Sequence, residues 1–315
     1  MILITGGSGF IGSHVVRALA DRGVASVLLQ RRSADVPQHL TDLPVAAAAE
    51  QADVADLDAL RAIARRHPLT GIVHLAGYPA PGDPVDGVTS TERLTHGLAN
   101  VVRVAAEHDL RRVTVASTIG VYGGLRHEGP LTEDLPVRLS APHPIPRWKK
   151  ITELLTEQFA EATGVELVNL RISGTWGPRG HDDPFFAAPA LVHAAARRRP
   201  LDLSALAAPP HLGDGLDLCY VKDTGRAIAL LQLTDGLRHR TYNVASGRVT
   251  TNAEIVDALR PLAPDADLTL PAGDGHAMNP LSIDRLRADT GFAPEYDTAR
   301  AAADYVAWLR AGHER

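Results

Sequence analysis

The chain has 315 residues, 45% of them hydrophobic and 22% charged, with a formal net charge of −5. That length buries a substantial core, as one large domain or two ordinary ones, and the composition excludes a disordered or fibrous chain. The modest negative charge excludes a general nucleic-acid surface, because the only basic clusters, Arg31-Arg32 and Arg197-Arg198-Arg199, are short.

Strand-like apolar runs at residues 2–5, 26–29, 44–48, 71–75, 112–116 and 166–170 alternate with helical patterns at 11–21, 57–66, 92–108 and 149–163. Strands alternating with amphipathic helices of this length make βαβ units with right-handed crossovers. Ligands of such sheets lie at the carboxyl ends of the strands. Beyond Leu170 the rhythm loosens through 173–220, rich in Pro, Gly and His, before helices at 223–233, 252–259 and 299–310 and a strand at 241–244. The expected fold is α/β: a doubly wound parallel (Rossmann) sheet over 1–172, with a smaller, partly interleaved C-terminal substrate domain over 173–315. The strand and helix within 217–246 are expected to return to the first domain.

No apolar stretch approaches the ~20 residues that a bilayer requires, and the first residues lack the positive flank of a signal peptide. A cytoplasmic protein with neither membrane nor nucleic-acid partner is expected. The single cysteine, Cys219, excludes an internal disulfide framework, and its apolar neighbours Leu218 and Tyr220 point to core packing.

The segment Gly6-Gly7-Ser8-Gly9-Phe10-Ile11-Gly12 falls between the first strand and the first helix. Gly6, Gly9 and Gly12 there supply a tight turn, close backbone approach to a pyrophosphate and close helix–strand packing. Phe10 and Ile11 head the helix, whose unpaired N–H groups and positive dipole end suit the phosphates of a dinucleotide. After the second strand stand Gln30, Arg31 and Arg32, with no acidic residue to hold a ribose 2′-hydroxyl. Arginines carry a fixed charge and a fork of donors suited to phosphate, so NADP(H) is expected in preference to NAD(H). Asp53-Val54, after the third strand, is either an adenine contact or an ordinary helix N-terminal acid.

The motifs, taken in order, resemble the extended short-chain dehydrogenase/reductase family, the NAD(P)-dependent epimerase/dehydratases. The matching pieces are the loop from Thr5 to Gly12, then Val73-His74-Leu75-Ala76-Gly77 and Ser117-Thr118-Ile119-Gly120-Val121-Tyr122-Gly123. Leu170-Arg171 leading to Trp176-Gly177-Pro178, Tyr220-Val221-Lys222-Asp223 and Tyr242-Asn243-Val244 complete them. The resemblance implies that Leu75, Ala76 and Gly77 border the nicotinamide. It implies a Ser/Thr that orients the substrate oxygen, at Thr118 with Ser117 as second candidate, and a lysine that holds the ribose, at Lys149. It also implies a homodimer through the helices at 92–108 and 149–163.

The family's proton-transferring tyrosine precedes that lysine by four positions, which here holds Ile145; the register of Lys150 gives Pro146. Neither can move a proton. Four readings stay open: His143, whose imidazole is a side-chain type suited to shuttling protons; Tyr78, after the Ala76-Gly77 loop; Lys149 or Lys150 acting directly; or no redox step at all. One of the two adjacent lysines is expected to face solvent on the helix. Sugar-nucleotide members carry an arginine, paired with diphosphate, at the place of Leu216, which leaves Arg179 or Arg197–Arg199 as substitutes from other loops. Arg179, His181, Asp182 and Asp183 are read as a polar substrate loop, and no metal is expected.

The expected function is an NAD(P)-dependent oxidoreductase or epimerase at a secondary alcohol or ketone of a small polar substrate, sugar-derived or a secondary-metabolite intermediate. The reading from another class is a cofactor-binding protein of the same fold that has lost redox chemistry and serves as sensor or scaffold.

Overall fold

The first run, Ile2–Thr5 (β1), is buried at all four positions, as a strand covered on both faces must be. Ser26–Gln30 (β2), Ala48–Gln51 (β3), Gly71–His74 (β4), Arg112–Thr118 (β5) and Glu166–Ile172 (β6) follow it in sequence. Three short strands, Gly174–Trp176 (β7), Gly215–Tyr220 (β8) and Val249–Thr251 (β10), enclose Thr241–Val244 (β9) in chain order. In this computed structural model, which describes residues 1–77, 87–141, 143–180, 186–273 and 275–314, they form two sheets. The larger has seven strands in the order β3-β2-β1-β4-β5-β6-β9, all parallel. The smaller has the order β10-β8-β7.

The helices are Phe10–Ala20 (α1), Leu57–Arg66 (α2), Gly87–Glu107 (α3), Pro144–Thr163 (α4) and Ala188–Arg197 (α5). Val221–Leu233 (α6), Asn252–Leu259 (α7), Asp284–Thr290 (α8) and Thr298–Arg310 (α9) follow. Leu19 of α1 and Ile228 of α6 pack on one face of the large sheet; Leu60 of α2, Val101 of α3 and Ala160 of α4 pack on the other. A separate core gathers Trp176, Leu191, Tyr220, Ile255 and Tyr305 around the small sheet. Strand order reverses between β1 and β4, so the crevice for a ligand opens at their carboxyl ends.

Several expected boundaries move, each for a physical reason. β3 lies at Ala48–Gln51 rather than 44–48, because an alanine run on a half-exposed edge carries no apolar alternation. α3 starts at Gly87, five residues before the expected start, through a polar first turn that buries nothing. α4 starts at Pro144 rather than at 149, capped by His143, so Pro144 and Pro146 occupy the first turn, where backbone N–H groups have no helical partner. α5 was not expected: Ala-Pro-Ala-Leu-Val-His-Ala-Ala-Ala-Arg has little polar face because the second core surrounds it. Cys219 is buried, as its neighbours suggested. Among the described residues, no helix is long and apolar enough to cross a membrane.

Candidate functional site

At the end of β1 the chain turns sharply at Gly6, whose φ of 76° is the left-handed region that favours glycine. The Gly9 N–H donates to Gly6 O (3.0 Å), and a Cβ on Gly12 would collide with that same carbonyl. α1 begins at Phe10 with no side-chain cap, so the N–H groups of Phe10, Ile11 and Gly12 head the helix without intrahelical partners. Their side chains do other work. Phe10 packs edge-on against His14, and Ile11 joins the core.

A cavity of about 520 Å³ opens above this loop, lined by Gly6, Gly9, Gln30, Arg31, Arg32 and Asp53 among others. The glycine cradle, the uncapped helix start and the guanidinium groups fit a dinucleotide phosphate chain. Gln30 Nε2 donates to Asp35 O (2.8 Å) and so closes the loop that presents Arg31, Arg32 and Ser33 to the cavity. Asp53 accepts from Ala55 N (2.9 Å) and pairs with Arg93 of α3 (2.7 Å). Burial opposes its charge, but those two donors hold its carboxyl below the usual range. Val54, Ala76 and Gly77 also line the wall, and the Leu75 side chain packs against the core.

At the other end, His74 Nδ1 and Thr5 Oγ1 lie 2.8 Å apart, and Thr5 Oγ1 also accepts from Ala76 N (3.1 Å). Burial, reinforced by the Lys149 charge, lowers the His74 imidazole to about 3 and keeps it neutral. Lys149 Nζ donates to Ala116 O (2.7 Å) and stands 3.2 Å from where a Cβ on Gly77 would lie. Burial lowers its ammonium to about 8, against the opposing pull of the Glu153 carboxylate. Thr118 ends β5, and its hydroxyl accepts from Gly120 N (3.2 Å). A Cβ on Gly120 would lie 2.6 Å from Pro146, so the first turn of α4 presses on the segment after Thr118. Thr118 and Lys149 are thereby brought to the same end of the sheet.

The chain matches the profile of the NAD dependent epimerase/dehydratase family over residues 2–245. It belongs to that family. It is similar to a dTDP-glucose 4,6-dehydratase of Streptomyces griseus (28% identical, over 98% of this chain and 93% of the relative). It is also similar to a UDP-glucose 4-epimerase of Azospirillum brasilense (27%, over 94% and 88%). Among solved structures, the UDP-glucose 4-epimerase of Thermus thermophilus in complex with NAD superposes with a TM-score of 0.79 at 26% identity, over 99% of each chain.

As an epimerase/dehydratase family member, this chain departs from expectation at several side chains. Ile145 is half-buried in the first turn of α4. His143 accepts from Ile145 N (3.3 Å) and so serves as the helix cap. Tyr78 lies outside the described residues, as do His181, Asp182 and Asp183. Neither lysine faces solvent: Lys150 is 3% exposed, its Nζ donating to Ser140 O (3.0 Å), because the chain folds back over α4 just before it begins. Ser117 is turned from the cavity and donates to Glu153 Oε1 (2.5 Å). Glu153 in turn forms a buried ion pair with Arg171 (2.8 Å).

The arginines expected to substitute for one at the place of Leu216 have the following surroundings. Leu216 lies against Gly174, 2.6 Å from where a Cβ there would be. Arg179 (φ 70°) lies beside α1, where its charge helps to depress the His14 and His39 imidazoles, both lowered chiefly by burial. Arg197 is held by the carbonyls of His313 and Glu314, and Arg198 and Arg199 line a second cavity with Asp265 and Asp267. Sequence reasoning missed Arg93 and the Glu153–Arg171 pair. A signal for the first was present: Arg93, Gly97 and Asn100 recur at the spacing of one helix face.

Proposed function

We propose that the chain is an NADP(H)-linked oxidoreductase or epimerase acting at a secondary alcohol or ketone of a small, polar, sugar-derived substrate. The observation that carries this reading is Lys149: its ammonium stands at the carboxyl end of β5 while reaching the Gly77 edge of the cofactor cavity. Gly6, Gly9, Gly12 and Lys149 would hold a nicotinamide dinucleotide, which would supply the hydride chemistry at the substrate carbon. Thr118 orients the substrate oxygen, its hydroxyl proton remaining to be donated once the oxygen has accepted from Gly120 N. Ile145 cannot carry a proton, and His143 caps α4 by accepting from Ile145 N through Nδ1. Among the described candidates we assign to Lys149 the proton at that oxygen, besides a grip on the ribose, with Tyr78 as the alternative that the variants below distinguish. The names of the Streptomyces and Azospirillum relatives, acting on dTDP-glucose and UDP-glucose, support a sugar-derived substrate. Leu216 against Gly174 supplies no charge there for a diphosphate.

The test is spectroscopic. Purified protein is loaded with NADPH and challenged with keto-sugars, or loaded with NADP+ and challenged with the corresponding sugar alcohols, free and nucleotide-linked, while the reduced-nicotinamide absorbance is followed. A change in absorbance, or epimerised product without net change, supports the reading; bound cofactor inert toward the whole panel sinks it.

Arg31, Arg32 and Ser33 around one end of the cavity support NADP(H). Replacing both arginines by alanine is expected to weaken NADPH by at least tenfold relative to NADH, since each charge-assisted phosphate bond contributes about 1.5–3 kcal/mol. Titration by cofactor fluorescence measures the ratio, and an unchanged ratio refutes the preference.

A homodimer through α3 and α4 completes the proposal. Ile151 and Leu154 stand three residues apart on α4 and are 40% and 55% exposed. Isolated apolar side chains are ordinary on a surface, but a pair on one long helix suits a partner. The variant Ile151→Lys with Leu154→Glu is expected to sediment as a monomer where the parent chain sediments as a dimer. A parent chain that is itself monomeric removes this part of the proposal.

A further inference from the structure

One wall of the cofactor cavity is built by α3, and three residues along one stripe of that helix fix the loop after β3. Arg93 pairs with Asp53 at 2.7 Å. Gly97, one turn on, approaches so closely that a Cβ there would lie 2.8 Å from Val54 Cγ1. Asn100, a further turn on, donates through Nδ2 to Val54 O (3.3 Å) and Ala55 O (2.9 Å). The seam leaves little freedom in where Arg93 stands. It lines the cavity together with Ser90 and Leu94 of the same helix, and its side chain remains 42% exposed.

The charges near this end do not cancel. Among the described residues that line the cavity, Arg31, Arg32 and Arg93 stand against one carboxylate, that of Asp53. Asp53 is already held by the Ala55 N–H and by Arg93, and it also feels the charge of Arg31. Arg31 and Arg32 follow β2, whereas Ala52, Asp53 and Val54 follow β3 and form a different part of the wall. A guanidinium held along one edge by a carboxylate keeps its plane and its remaining donors for a ligand, and an aromatic base is a good partner for that plane.

We infer that Arg93, held in place by Asp53, is a cofactor-binding residue that clamps the adenine base, contributed by α3 and distinct from the arginines that select the 2′-phosphate. The inference rests on the nicotinamide-dinucleotide reading of the cavity. It assigns Asp53 a positioning role in place of direct base recognition. It also separates affinity from selectivity within one pocket: Arg93 acts on every adenine nucleotide alike, and Arg31 and Arg32 act on those that carry the extra phosphate.

The experiment measures dissociation constants of NADPH, NADH and AMP for the full chain and for Arg93→Met, Asp53→Asn and the Arg31/Arg32 double alanine variant. Circular dichroism of each protein without ligand guards against misfolding. Arg93→Met is expected to weaken all three ligands by roughly tenfold, leaving the NADPH-to-NADH ratio unchanged. Asp53→Asn is expected to follow it in direction with a smaller loss, because it releases Arg93 without removing it. Affinities unchanged in Arg93→Met, with the parent chain binding normally, overturn the clamp alone. A loss confined to NADPH overturns it also, placing Arg93 among the phosphate ligands. A parent chain that binds neither dinucleotide overturns both the clamp and the cofactor reading beneath it.

Discussion

Replacing Lys149 by methionine is expected to lower kcat/KM by about a thousandfold, within the range that a positioned acid–base group contributes. Methionine keeps much of the stem and loses both the proton and the bond to Ala116 O. The pH profile carries the stronger information. Burial lowers the Lys149 ammonium to about 8. Below that value the group is protonated and can donate to a substrate oxygen; above it the donor is lost, so reduction slows about tenfold per pH unit. Oxidation needs the neutral amine and rises with pH to a plateau above the same value. Opposite limbs for the two directions, both absent in Lys149→Met, identify the ammonium as the titrating group. Tyr78→Phe is the control. If it abolishes turnover while Lys149→Met mainly raises the KM for cofactor, the tyrosine moves the proton and Lys149 only grips the ribose.

That this question exists at all was legible from the sequence, because the family resemblance implies a tyrosine four positions before Lys149, where Ile145 stands. The glycine loop was legible for a related reason: its function is local, set by residues within one turn, and β1 with Gly6 to Gly12 appears where the pattern places it. β9 lies at the expected residues, Thr241–Val244, where a β-branched residue at each end and the Tyr242 ring favour a strand. Side-chain destinations were another matter. Nothing in Trp148-Lys149-Lys150-Ile151 says that both ammonium groups turn inward, since the acceptors are the carbonyls of Ala116 and Ser140 on separate segments. Leu75 and Ala76 are neighbours in one motif, yet the Leu75 side chain packs against the core while Ala76 and Gly77 line the cavity. Buried charges are the hardest to see. Glu153 and Arg171 resemble surface residues in a sequence until a helix and a strand are packed together.

That buried pair gives the other large effect. Arg171→Met is expected to destabilise the fold by about 3–5 kcal/mol, because it leaves the Glu153 carboxylate uncompensated in the interior. The two side chains are 7% and 9% exposed. The guanidinium reaches Glu153 through Nε (3.1 Å) and Nη2 (2.8 Å), and Nη1 donates to Tyr122 Oη (2.9 Å) and Glu133 O (3.1 Å). It also lies 4.9 Å from the centre of the Tyr122 ring. Ser117 donates to the same carboxylate, so the network joins β5, β6 and α4 at one point. Lys149 sits one helical turn before Glu153, which ties the position of its ammonium to the integrity of the pair. Denaturant titration monitored by circular dichroism measures the loss. The double variant Arg171→Met with Glu153→Leu is expected to recover much of it, since an apolar pair of similar volume avoids the stranded charge. Recovered stability without recovered turnover would show that the pair positions Lys149 as well as supporting the fold. A single Arg171→Met as stable as the parent would show instead that water reaches Glu153 and that the network holds nothing in place.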